Sequence, residues 1–173
     1  MNDGSPAPLQ WRPMIAADLP EAYDLSVRIH PNFPERLEVL AEKFRLFPGG
    51  CFVLDKPGAG ICGYCFSHPW HAGRPPALDT MLLALPHPPI TYFIHDMTID
   101  DSLRRRNLAS GLVPQLIAVA RDIPVDRVML VAVSGSQPFW TRMGFRQTAD
   151  EALQDAARAK YGAGAVHMTR DLS

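Results

Sequence analysis

Three consecutive arginines, Arg104, Arg105 and Arg106, stand directly before Asn107, Leu108, Ala109, Ser110 and Gly111. Guanidinium groups are rigid forks of donors for phosphate oxygens, and small residues let an anion approach the main chain closely. This segment lies between an apolar run ending at Ile99 and a helical pattern that starts near Asn107. A strand that turns directly into a helix aims unpaired amides, and the positive end of the helix, at one spot. Together these residues suit the binding of a pyrophosphate. A solvated charged turn is the plainer reading, and the helix start behind it argues against that.

Other reactive residue types carry less. Cys62-Gly63-Tyr64-Cys65 has redox spacing, but strand residues three apart face opposite sides, and the chain's three cysteines include no second pair. Neither redox chemistry nor a metal is expected. His68, Trp70, His71 and His87 fall in a proline-rich stretch and read as loop surface rather than as metal ligands, while His167 reads as a packed strand residue.

The elements that must position these groups follow from composition and periodicity. With 173 residues, 47% hydrophobic and 20% charged, the chain supports one folded domain over 9–173, preceded by residues 1–8 as a flexible N-terminus. Seventeen basic against eighteen acidic residues leave a net charge of −1, without the basic footprint of a nucleic-acid or anionic-membrane binder. The most apolar stretch, Met81–Ile94, is broken by Pro86, Pro88 and Pro89 and is too short to span a bilayer. Met1–Pro6 lacks the basic and apolar regions of a secretory signal, and an odd cysteine count does not form a disulfide framework, so a cytoplasmic setting is expected.

A strand is expected at Leu9–Arg12, then a helix over Leu19–Ile29 opened by an Asp18-Leu19-Pro20-Glu21 capping box. A second helix starts at Pro34-Glu35 with its stripe on Leu37, Leu40, Ala41, Phe44 and Phe47. Cys51–Leu54 and Ile61–Phe66 flank a Pro/Gly turn as a hairpin, and 67–89 is a long loop with one helical turn near Met81–Leu85. The rest alternates: strand Tyr92–Ile99, helix Asn107–Arg121 kinked at Pro114, strand Val125–Val133, helix Gln137–Met143 closed by Gly144, a strand start at Phe145–Gln147, helix Glu151–Lys160, strand Ala165–Arg170. This order gives an α+β fold with one parallel crossover.

Arg104-Arg105-Arg106-Asn107-Leu108-Ala109, followed at matching distance by Pro138-Phe139-Trp140-Thr141-Arg142-Met143-Gly144-Phe145 and by Tyr161-Gly162, resembles the GNAT superfamily of acetyl-CoA-dependent N-acetyltransferases over roughly residues 9–170. The chain departs from that pattern at Arg105 and Asn107, where glycines are usual, and at Trp140, where the family has a tyrosine. The resemblance implies a mixed, mostly antiparallel sheet, with acetyl-CoA as co-substrate in a V between strands Tyr92–Ile99 and Val125–Val133. Its pyrophosphate would rest on Arg104, Arg105, Arg106, Asn107, Leu108, Ala109 and Ser110, with Met97, Thr98, Ile99, Ser136 and Trp140 completing the cofactor contacts.

Direct transfer to a primary amine of a small molecule or peptide is what the family implies, and a homodimer is compatible with it. A base must take the amine's proton, and His95 is favoured because imidazole titrates near neutral pH. Asp96 is the rival, since alternating strand residues face opposite sides and only a bulge changes which of them looks into the cleft. Tyr161 or Ser136 would replace the missing tyrosine as the acid for the thiolate, or the thiolate leaves with the help of water, and Trp70 is a candidate for the pocket wall. A non-catalytic acyl-CoA-binding or regulatory module with the same fold is the competing expectation.

Overall fold

Runs of β-branched and aromatic residues separated by Pro/Gly turns become strands here, and amphipathic runs become helices that cover them. The computed structural model describes residues 8–173, so seven of the eight residues expected to form a flexible N-terminus lie outside the described residues. In chain order the main elements are β1 (Gln10–Pro13), α1 (Leu19–Ile29), α2 (Leu37–Leu46), β2 (Cys51–Asp55), β3 (Ile61–Trp70), β4 (Thr91–Ile99), α3 (Val113–Arg121), β5 (Arg127–Ala132), α4 (Gln137–Arg142), β6 (Arg146–Gln147), α5 (Glu151–Tyr161) and β7 (Val166–Asp171). Among the described residues they build one seven-stranded sheet in the order β1-β2-β3-β4-β5-β7-β6. Every neighbouring pair is antiparallel except β4 and β5.

Strand alternation sends side chains to two cores. Tyr92, Ile94, Val128 and Leu130 pack against Leu112, Leu116, Ile117 and Trp140 of the α3–α4 side. Tyr64 and Phe66 face the opposite way, against Ala22, Leu25 and Leu40 of α1 and α2. On that same side α5 packs Ala157 and Tyr161 against Val131, Val133 and Leu78.

Several expectations change. The capping box does not form: the Asp18 carboxylate pairs with Arg12 at 2.8 Å, and Glu21 reaches across to accept from the Ile61 amide at 2.9 Å. Both side chains find better donors in the sheet than in their own helix. The second helix begins at Leu37, not at Pro34-Glu35, because Glu35 turns into the interior and Arg36 stays extended. Ser67–Trp70 belong to β3 rather than to a loop, and Met81–Leu85 form no helical turn. Pro114 causes no kink, since α3 starts at Val113 and the proline sits in its first turn, where no amide is needed.

The loop from 71 to 90 is long but fastened. Buried Glu42 of α2 accepts from the amides of Leu82 and Leu83 at 2.6 and 3.0 Å. From the other side the Tyr161 hydroxyl donates to the Pro76 carbonyl at 2.8 Å and Lys160 donates to that of Pro75. The loop is thereby strapped between α2 and α5.

Candidate functional site

β4 and β5 run parallel and pair only over Tyr92–Ile94 and Val128–Leu130. Beyond Ile94, β4 continues to Ile99 with only β3 beside it, so the two strands part and leave a wedge-shaped gap. The Asp100 amide bonds the Cys62 carbonyl on the β3 side at 2.8 Å. Alternation then turns the amides of Asp96 and Thr98 toward β3 and those of Met97 and Ile99 toward the gap.

The strand leads at once into the arginine loop. A single 3-10 turn over Asp101–Leu103 is capped by Asp100, whose carboxyl is held down to about 2 by the Ser102 hydroxyl and amide and by Arg28. Arg105 and Asn107 then adopt left-handed backbone, with φ of 62° and 60°. Asn tolerates this region, whereas Arg does so at a cost. Left-handed residues alternating with extended or right-handed ones turn successive amides toward one concave spot that suits an anion. Among the described residues, the amides from Arg105 to Ser110 donate to no protein acceptor. The loop is pinned from behind by Trp11, whose indole donates to the Leu108 carbonyl at 2.8 Å, and by the Ser110 hydroxyl on the Asn107 carbonyl at 2.7 Å. Arg104 pairs with Asp101 at 2.6 Å. The three arginines and the free amides thus share the one loop that the sequence reading assigns to a pyrophosphate. Next to the loop, Ser110, Pro114, Arg121, Arg142 and Arg170 border a cavity of about 540 Å³, so positive charge continues along α3 and α4.

The choice between His95 and Asp96 dissolves at a β-bulge. Phe66 lies opposite Asp96 and Ser67 opposite Ile94, so His95 is the extra residue on β4. A bulge breaks the alternation, and both side chains fall on the α1–α2 side. Asp96 accepts from the Tyr64 hydroxyl at 2.6 Å and the Thr98 hydroxyl at 3.1 Å, and Thr98 is in turn bonded to His30 Nε2 at 2.7 Å. About a quarter of the Asp96 side chain is exposed, at 24%. His95 is enclosed, at 1%, with Nε2 at 2.8 Å from Glu35 Oε1. Glu35 also accepts from Lys43 at 3.0 Å.

The remaining expected residues are dispersed. Trp140 is buried in the α3–α4 core, edge-on to Phe139 and Phe145. The Tyr161 hydroxyl is committed to Pro76, and burial pushes its phenol up. Ser136 stands at the N-terminal boundary of α4, where its side chain makes no capping bond, and is half-buried. His30, Glu35, Lys43 and Tyr64 were not read from the sequence as part of a site.

His68 is a buried strand residue, not loop surface. Its Nδ1 lies 2.9 Å from the Pro69 carbonyl, and burial, aided by His95, pushes the imidazole from 6.5 down to about 3. The unfolded chain therefore takes up this proton first, so its contribution to stability is complete above pH 6.5 and drains as pH falls toward 3. In urea unfolding this one group should contribute a decline of at most about 1.4 kcal/mol per pH unit below that point. A His68→Phe variant should lose this slope between pH 6.5 and 4.5, and an unchanged slope would assign it to other groups.

Three comparisons bear on this site. A family model described as "Acetyltransferase (GNAT) family" matches residues 13–145. No curated protein matches the chain. Solved structures share the fold at low identity. The loading GNATL domain of CurA from Lyngbya majuscula has a TM-score of 0.75 at 14% identity, covering 95% of this chain and 98% of its own. The GphF GNAT-like decarboxylase in complex with isobutyryl-CoA gives 0.74 at 18%, covering 95% and 100%. Rv2747 from Mycobacterium tuberculosis, solved with CoA, gives 0.67 at 16%, covering 95% and 99%.

Proposed function

The chain belongs to the acetyltransferase (GNAT) family, and from that premise we propose that it transfers an acetyl group from acetyl-CoA to a primary amine of a small molecule or peptide by direct attack. One observation carries the reading: a gap between parallel strands opens at the same end of the sheet as a row of amides without protein acceptors. That two similar structures contain CoA or isobutyryl-CoA supports an acyl-CoA ligand.

In this reading the amides of Arg105–Ser110 and the three arginines hold the pyrophosphate, while the Met97 and Ile99 amides face the pantetheine arm and thioester in the gap. Asp96 offers a carboxylate, oriented by Tyr64 and Thr98, to the incoming ammonium. His95 takes the proton, because an ammonium has no lone pair with which to attack. The amine nitrogen then bonds to the acetyl carbon, the carbon–sulfur bond breaks, and a second proton passes from that nitrogen to the departing thiolate, so that the products are the amide and CoA as its thiol. With Tyr161 tied to Pro76 and Trp140 in the core, Ser136 is the expected hydroxyl left to assist that thiolate.

Those two commitments also favour a second reading, an acyl-CoA-binding module that does not transfer. Calorimetry with acetyl-CoA, followed by thiol release over an amine panel, separates the two. Release with at least one amine supports transfer, binding without release supports the module, and absence of binding removes both.

Arg104→Ala and Arg106→Ala should each weaken CoA by about tenfold, the scale of one charge-assisted phosphate contact on an exposed loop. Binding of pantetheine, which lacks the pyrophosphate, should hardly change. Equal losses for the two ligands would contradict the phosphate role.

A further inference from the structure

We propose that Glu35 is a positioning residue that fixes the tautomer and ring orientation of His95 for proton uptake, a role that rests on the amine-transfer reading above. Glu35 lies in the connection between α1 and α2, sixty residues from His95, yet its carboxylate reaches Nε2 at 2.8 Å with both side chains enclosed. Burial alone would protonate Glu35, but the charges and hydrogen bonds of His95 and Lys43 outweigh it and hold the carboxyl well below its ordinary range. An ionised carboxylate only accepts, so Nε2 carries the hydrogen. Proton uptake and release therefore fall to Nδ1, which is buried without a protein partner, and the ring can act as a base once Nδ1 has shed its proton.

The surrounding groups make this role directional rather than a matter of net charge. Lys43 from α2 already balances Glu35 at 3.0 Å. His68 from β3, whose ring centre is 5.8 Å away, is kept neutral by its burial. The Asp79 amide of the strapped loop donates to Glu35 Oε2 at 3.3 Å and fixes the carboxylate from a third element. On β4 itself, Asp96 is turned to Tyr64 and Thr98. Glu35 thus stands behind His95 as a carboxylate stands behind the base histidine of a hydrolytic triad, holding the tautomer without itself becoming protonated.

Two measurements test the proposal. In the wild-type chain, nitrogen-resolved proton NMR should show a far-downfield imidazole N–H assigned to Nε2 of His95, and it should survive in Lys43→Met. Replacing the pair together, Glu35→Leu with Lys43→Met, preserves apolar packing and avoids a stranded charge. That variant should lose the resonance, and its kcat should fall by about tenfold to a hundredfold with KM for acetyl-CoA unchanged, a smaller loss than removal of the base itself. Glu35→Asp should restore part of the rate. A double variant that keeps the wild-type kcat overturns the role of Glu35 alone. A wild-type chain that shows the resonance but releases thiol with no amine overturns the transfer reading, and the catalytic role with it.

Discussion

His95→Ala is expected to lower kcat for amine acetylation by about 10²- to 10⁴-fold, the range that a positioned general base supplies. Acetyl-CoA affinity should not change, because in the proposed reading the cofactor rests on the amides of Met97, Ile99 and residues 105–110 rather than on the imidazole. The bulge gives this test its contrast. It sets Asp96 beside His95 on one face, so Asp96→Asn should raise KM for the amine more than it lowers kcat, since the carboxylate meets the ammonium before the proton leaves. Steady-state kinetics with amine and acetyl-CoA varied separately would show the split. A large kcat loss in Asp96→Asn with His95→Ala near wild type would exchange the two roles.

Glu35→Ala should cost about 3–5 kcal/mol of unfolding free energy, because it strands the Lys43 ammonium in the interior without its anion. Lys43 is 1% exposed, so solvent cannot replace the lost partner. Lys43→Met should cost less, since Glu35 keeps its bonds to His95 and to the Asp79 amide. The sign with pH is fixed by the depressed Glu35 carboxyl. Its contribution is complete above the ordinary value of 4.5 and drains as pH falls below it. Chemical unfolding of the three proteins at pH 7 and pH 4 would show the gap between wild type and Glu35→Ala narrowing in acid. A loss under 1 kcal/mol at pH 7 would mean that water reaches Lys43.

The same pair marks where sequence reading stops. The turn of the arginine loop was legible in part, because residues contiguous in the chain supply its charge and small side chains; the helix expected from Asn107 begins only at Val113, after a 3-10 turn over Ala109–Gly111. Tyr161 and Trp140 were assigned by analogy of position; Tyr161 is instead committed to Pro76, 85 residues away, and Trp140 packs edge-on to Phe145 in the core. On α2 the apolar stripe was placed on Leu37, Leu40, Ala41, Phe44 and Phe47. The buried face instead includes Val39, Leu40, Glu42 and Lys43, turned toward two charged residues. Periodicity counts a lysine and a glutamate as solvent-facing, and only the third dimension supplies their counterparts, Glu35 for Lys43 and the Leu82 and Leu83 amides for Glu42. His30 escaped for the same reason, since its partner Thr98 is 68 residues away. Helix and strand identities survived elsewhere, Ser67–Trp70 and Met81–Leu85 excepted, because each depends on neighbours a few positions apart.

The seam between β4 and β5 has a mechanical corollary. Three residue pairs, Tyr92–Val128, Phe93–Met129 and Ile94–Leu130, rivet the blade β1–β4 to the blade β5–β7. Any rocking of one blade against the other must pivot there, and whatever slides into the open end loads the same rivets as a lever. Enlarging or trimming a side chain at those six positions should therefore alter how wide the jaws stand without touching a single group that handles the ligand.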